Sequence, residues 1–330
     1  MSKLRLSLAC WDYDRTRALI DGSVSPEGID LVYLNQPVEE TFFRMLRYRE
    51  FDCSEMSLSS YTASLESDNP PFIAIPAFPS RFFRHSCIFV ATRSAIRNPA
   101  DLKGRRVGVP EYQMTAPVWI RGILSDDYGV AATEVTHFSG GEEEPGRDEK
   151  LKLNLPPAIR LQSIPAGKTL SGMLAEGEID ALVTARAPST FYSRPDRVQR
   201  LFPAYAEVEK AYYRRTRIFP IMHTVVLRRD VYDRNPWVAQ SLYKAFLASK
   251  ARAAELLKQT AALPAMVPWL TSYLDETRRE MGEDWWPYGL EPNRAVLDTF
   301  LRYHHEQGLS KRRYSPDELF ARETLDSFRI

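Results

Sequence analysis

PADLKGRRVGVPEYQMTAPVWIRGIL, residues Pro99–Leu124, reads as a strand that stops and a helix that starts. Arg105-Arg106-Val107-Gly108-Val109 is a short run with β-branched valines, and Pro110 ends it. Tyr112, Gln113 and Met114 form a tight turn. Thr115 supplies the N-cap of a helix that carries Pro117 in its first turn, where no N–H is required. Such a junction directs unpaired backbone N–H groups and the positive end of the helix dipole at whatever lies in front of it. A carboxylate or phosphate is the natural ligand for that position.

Strand-like and helix-like segments alternate outward from this stretch in both directions, which predicts an α/β architecture. Leu4–Cys10, Gly28–Leu34, Asp52–Met56, Phe72–Ala77 and Cys87–Ala91 read as strands before it. Glu134–Phe138, Ile179–Thr184, Val198–Phe202 and Thr224–Leu227 read as strands after it. Thr16–Asp21 and Val38–Tyr48 read as helices between the early strands, and Ser57 or Ser59 is placed to cap the one that follows Met56. Lys168–Glu176 and Pro236–Gln259 read as later helices. Gly140–Pro157, GGEEEPGRDEKLKLNLPP, is a charged loop or hairpin that would repel phosphate. The pattern predicts two lobes joined by two crossings: residues 1–93 and 221–330 form one, and residues 94–220 form the other.

In open α/β sheets a ligand sits beyond the carboxyl ends of the strands, here in a cleft between the lobes. That rule selects Trp11, Asp12, Glu55, Ser57, Arg81, Arg84, Tyr112, Gln113, Met114, Thr115 and Arg186. His85 lies near the first crossing and His223 just after the second, so the fold would bring both to the cleft floor. His137 reads as structural, and His304 and His305 as the surface of a late helix.

A net charge of +1 gives no support to nucleic-acid binding or to an acidic membrane surface as partner. Cys10, Cys53 and Cys87 stand in apolar runs with no C-x-x-C spacing and read as reduced core thiols. The apolar stretch before Cys10 is shorter than the about 7–15 residues of a signal h-region, so the expected location is the cytoplasm. Trp285-Trp286-Pro287-Tyr288 reads as a packing or subunit-contact cluster, and the aromatic-rich C-terminal third suggests a homo-oligomer.

The motifs carry a resemblance. DLKGRRVGV (Asp101–Val109) is common among solute-binding proteins. EYQMTAPVWIRGIL (Glu111–Leu124), FDCSEMSLSSY (Phe51–Tyr61) and HTVVLRRDVYDRNPW (His223–Trp237) are more selective. With them the chain resembles the 4,5-dihydroxyphthalate decarboxylase family over nearly its whole length. The resemblance implies a type II periplasmic-binding-protein-like fold with two lobes and two hinge crossings. It implies a carboxy-lyase that converts 4,5-dihydroxyphthalate, or a close hydroxylated aromatic acid, to protocatechuate and CO2. A non-catalytic binding protein for a small aromatic carboxylate is the alternative that the same fold permits.

Chemistry then assigns roles. Each carboxylate of the substrate has a hydroxyl para to it, which feeds electrons to the carbon that must accept a proton. No electron-sink cofactor is needed. His85 or His223 is the candidate acid. Glu55 or Asp12 would orient that histidine or accept a phenolic proton. Arg81, Arg84, Arg186 and the Thr115 amides would anchor carboxylates, and Trp11 and Tyr112 would sandwich the ring. His85, His223, Asp12 and Glu55 are also acceptable ligand types for a divalent metal, but no H-E-x-x-H or paired-histidine helix spacing is present, and a metal is not favoured.

Overall fold

A computed structural model describes residues 3–325 of the chain. In chain order its strands are β1 (Leu4–Cys10), β2 (Ile29–Asn35), β3 (Cys53–Ser57), β4 (Phe72–Arg81), β5 (Ile88–Ala91), β6 (Arg106–Val109), β7 (Thr136–Ser139), β8 (Arg160–Ser163), β9 (Ala181–Val183), β10 (Val198–Arg200) and β11 (Ile221–Arg228). They form two mixed sheets, each in its own compact unit. The first unit is residues 1–81, 221–297 and 314–330, and the second is residues 82–220 and 298–313. The first division falls at Arg81/Phe82 rather than near Arg93, and Asp298–Arg313 joins the second unit rather than the first.

The first unit's sheet has the order β2-β1-β3-β11-β4. β1 runs parallel to β2 and β3, while β11 runs antiparallel to β3 and β4. Leu6, Leu8, Ala9 and Cys10 are buried on β1, and every residue of β3 is buried. β4 is an edge strand containing Pro76 and Pro79, neither of which can donate to a ladder. Its register with β11 therefore jumps, from Val225 opposite Ile75 to His223 opposite Ser80. The carbonyls freed by the jump are taken up within the unit. Gly289 N–H reaches Pro76 O at 2.8 Å, Trp286 Nε1 reaches Phe78 O at 2.9 Å, and Arg15 Nε reaches Pro79 O at 2.5 Å. The Trp285–Tyr288 segment thus packs against the irregularity in β4.

The second unit's sheet has the order β10-β5-β9-β6-β7-β8, with β9, β6, β7 and β8 parallel and β5 antiparallel to both of its neighbours, β9 and β10. The helix Thr115–Tyr128 follows β6. Its N-cap is Met114, and Thr115 is its first residue rather than its cap. It ends at Gly129, whose φ of 64° is the left-handed cap that glycine adopts without a Cβ penalty. Gly122 opens a slot for Tyr303, because a Cβ there would stand 2.1 Å from the ring. Trp119 lies against Phe300 and Tyr303, and the Tyr303 hydroxyl donates to Asp126 at 2.7 Å. These contacts attach Asp298–Arg313 to this unit. β8 and the helix Tyr205–Thr216 were not anticipated. β8 is short and mostly exposed, and the helix buries only Tyr212, so neither has a strong apolar period.

Candidate active site

β3 carries a carboxylate in the middle of a buried strand. Glu55 is 0% exposed and faces four donors. Tyr13 Oη donates to Oε1 at 2.6 Å, and His223 Nδ1 meets the same oxygen at 2.6 Å. The Trp11 N–H donates to Oε2 at 3.2 Å, and the Cys10 thiol approaches it at 3.5 Å. The strands explain the meeting. His223 pairs opposite Ser57 and Val225 opposite Glu55, so His223 and Glu55 are diagonal neighbours on one face of adjacent strands. Phe42 stands edge-on to the imidazole with centroids 4.8 Å apart.

Burial alone would raise the Glu55 carboxyl, but the charge and hydrogen bond of His223, with the Tyr13 hydroxyl and Trp11 amide, hold it below its ordinary range. Burial and the Glu55 charge push the Tyr13 hydroxyl and the Cys10 thiol up, so both stay protonated. Arg15 steadies Tyr13 from the other side, its guanidinium 4.2 Å from the Tyr13 ring centre and 4.2 Å from that of Trp286. The result is an imidazole with one nitrogen fixed by a buried carboxylate and its side chain still 17% exposed. This arrangement fixes the orientation of the ring and, with Nδ1 donating to the carboxylate, its tautomer.

In the second unit the turn after β6 is buried. Glu111 is 1% exposed and accepts from Gln113 Nε2 at 3.0 Å and from Arg147 Nη2 at 2.5 Å; Lys150 also donates to it. Burial would raise Glu111, and these two cations reverse the effect and hold it low. The Tyr112 and Gln113 amides donate to Glu149. Arg147, Glu149 and Lys150 all come from loop 140–157, whose Glu142 and Glu143 accept from Thr184 and Ser189. The acidic loop is therefore strapped down within the unit.

The other residues singled out from the sequence are placed as follows. Ser57 caps the helix Leu58–Ser64, its Oγ accepting from Ser60 N–H at 3.3 Å. Asp12 pairs with Arg17 at the surface at 2.9 Å. Trp11 is 42% exposed, and it is its backbone that meets Glu55. Arg81 is buried with Nη2 donating to Pro287 O at 2.7 Å and also to Asn293, and buried Arg84 donates to Ala185 O at 3.2 Å. Arg186 is exposed just beyond β9, Met114 is half-buried, and Thr115 is buried.

His85 lies inside the second unit between Phe202 and Tyr212, with ring centroids 5.4 and 5.2 Å away. Burial lowers its pKa to about 4 and holds it neutral. Tyr112 has the Arg121 guanidinium 3.8 Å above its ring, so that face is taken. His137 is buried with Nε2 on Ala132 O at 2.9 Å, and His304 is buried rather than on the surface. Sequence reasoning passed over Tyr13, Glu111, Arg121 and Glu149. Tyr13 alone carried a signal, standing three residues beyond the end of β1. Among the described residues no group of three or more His, Cys, Asp or Glu side chains is gathered to hold a metal.

Comparison with known proteins sets this geometry in context. No protein-family model matches the chain. A 4,5-dihydroxyphthalate decarboxylase from Comamonas testosteroni is 46% identical over 330 residues, covering 100% of both chains. The chain belongs to the 4,5-dihydroxyphthalate decarboxylase family. A second member, from Pseudomonas putida, is 47% identical over 202 residues, 61% of this chain and 78% of the relative. Among solved structures, the periplasmic aliphatic sulphonate binding protein of Escherichia coli superposes with a TM-score of 0.52 at 14% identity, covering 98% of this chain and 99% of that one. The decarboxylase family member described here thus has a periplasmic-binding-protein-like α/β fold.

Proposed function

We propose that the chain decarboxylates 4,5-dihydroxyphthalate to protocatechuate and CO2, with His223 as the acid and Glu55 as the group that positions it. The family supports the reaction, and the 2.6 Å contact of His223 Nδ1 with buried Glu55 carries the assignment of the acid. The hydroxyl para to the departing carboxylate pushes electron density to the carbon that bears it. Nε2 of the imidazolium delivers a proton to that carbon, giving a non-aromatic intermediate. The C–CO2 bond then breaks, its electron pair restores the aromatic ring, and the imidazole takes a proton from water. The ring's own hydroxyl acts as the electron source, so the reaction is proposed to proceed without a cofactor. Glu55 holds the ring and its tautomer in place for that transfer.

Incubation of the pure protein with 4,5-dihydroxyphthalate, following protocatechuate and CO2, tests the reaction. Tight binding with no CO2 release would support a solute receptor instead. His223→Gln should lower kcat by about 10²–10⁴ with little change in KM, and an unchanged kcat removes His223 from the mechanism. We also propose a cytoplasmic location, supported by three free buried thiols. Self-association is proposed as well, supported by the exposed side chains of Leu256, Leu263, Met266, Trp269 and Tyr273. A monomeric mass in light scattering would overturn the latter.

A further inference from the structure

The turn before helix Thr115–Tyr128 has the form expected of a carboxylate site, and a carboxylate sits there, contributed by the protein itself. Glu149 reaches in from loop 140–157 and accepts from the amides of Tyr112 and Gln113. Its fit is incomplete. Arg121, 4% exposed, spends Nε on Gln307 at 2.6 Å and Nη2 on the Tyr112 carbonyl at 2.6 Å, and its Nη1 is buried with no partner. Glu149 Oε2 is likewise buried with no partner. A tethered side chain therefore satisfies the amides while a buried donor and a buried acceptor are left without partners, which is unfavourable for each.

A free carboxylate is not bound by the reach of the loop and can present both oxygens. Exchange of one carboxylate for another also leaves the local charge as it was, with Glu111 still neutralised by Arg147 and Lys150. We infer that the Tyr112 and Gln113 amides with Arg121 form a carboxylate-binding site that Glu149 occupies as an internal competitor, and that a ligand carboxylate displaces it. Burial and the nearby Glu111 charge push the Glu149 carboxyl up to about 7, against the pull of the amides and Arg121. The remaining straps, Glu142 on Thr184 and Glu143 on Ser189, keep the loop attached when Glu149 leaves.

This inference rests on the aromatic-dicarboxylate reading only in its choice of probe. Phthalate carries both carboxylates and lacks the para hydroxyl, so it binds without turning over. Titration of the full-length protein with phthalate should give a Kd about 10-fold lower for Glu149→Ala than for wild type, because the fraction of open sites rises. Catechol, without a carboxylate, should bind the two proteins alike. In wild type, phthalate should also speed backbone hydrogen exchange across residues 147–151. An equal or higher Kd in Glu149→Ala, no phthalate binding by either protein, or unchanged or slowed exchange in wild type overturns the proposal. The exchange measurement decides if the variant does not fold. None of these readouts requires turnover, so an absence of CO2 release from 4,5-dihydroxyphthalate would count against the reaction and leave this site standing.

Discussion

Glu55 shows how one buried oxygen can set the behaviour of a site. Tyr13 and His223 both use Oε1, and they compete for its basicity. Tyr13→Phe removes one of the donors that hold the Glu55 carboxyl low. The acid limb of the kcat–pH profile, where Glu55 takes up a proton and loses its hold on His223, should therefore move to higher pH. Superimposable profiles for the two proteins would show that Tyr13 does not tune the dyad. The residue scale also explains why Arg81 and Arg84 are poor anchors: their guanidinium groups are buried and spend hydrogen bonds on backbone carbonyls.

At the level of elements, irregularities place the functional groups. Two prolines in β4 break its register with β11 beside His223, and bulges of this kind re-aim side chains. The helix Thr115–Tyr128 is held by a different device, the Gly122 slot that admits Tyr303. Gly122→Ala should destabilise the second unit by about 1–3 kcal/mol, because the methyl group meets an aromatic ring that cannot yield. In a Tyr303→Ala background the same change should cost much less, giving a non-additive pair in denaturant titrations. Additive losses would mean that the slot is not what joins Asp298–Arg313 to the helix.

Over the whole molecule, the second unit contains titrating groups of opposite sign. Burial lowers His85 to about 4 and His137 to about 3 from an ordinary 6.5. Burial raises Glu142 and Glu149 to about 7 from an ordinary 4.5. Between about pH 4.5 and 6.5 the unfolded chain binds protons at the two histidines that the fold refuses, which lowers stability as pH falls. Over the same window the fold keeps protons on the two glutamates that the unfolded chain releases, which raises stability as pH falls. The two trends offset each other. Below about 4.5 the glutamate contribution stops growing while the histidine loss continues, and the depressed carboxyls of Glu55 and Glu111 add to it. The urea midpoint should therefore be nearly flat from pH 6.5 to 5 and fall steeply below 4.5. The double variant Glu142→Gln, Glu149→Gln should decline from pH 6.5 onward. A steady decline in wild type would show that the offset is absent. No helix among the described residues is long and apolar enough to cross a membrane.

The α/β class, most strands and the helix after β6 were legible because they are written in local periodicity, proline placement and strand-end residues. Glu55 and His223 were singled out because a strand end and a crossing were expected beside them; the structure places Glu55 in the middle of β3 and His223 near the start of β11. Which groups touch could not be read locally. Glu55 and His223 are 168 residues apart in sequence and meet only because β11 pairs with β3. His85 and His223 looked equivalent from spacing, and burial among Phe202 and Tyr212 separates them. Glu149 lay in a loop with no period, and nothing in its neighbours tells that it reaches the amides before Thr115. Local sequence determines backbone conformation through propensity and steric limits. Charge state and partner choice depend on desolvation and on long-range pairing, and those exist only once the chain has folded.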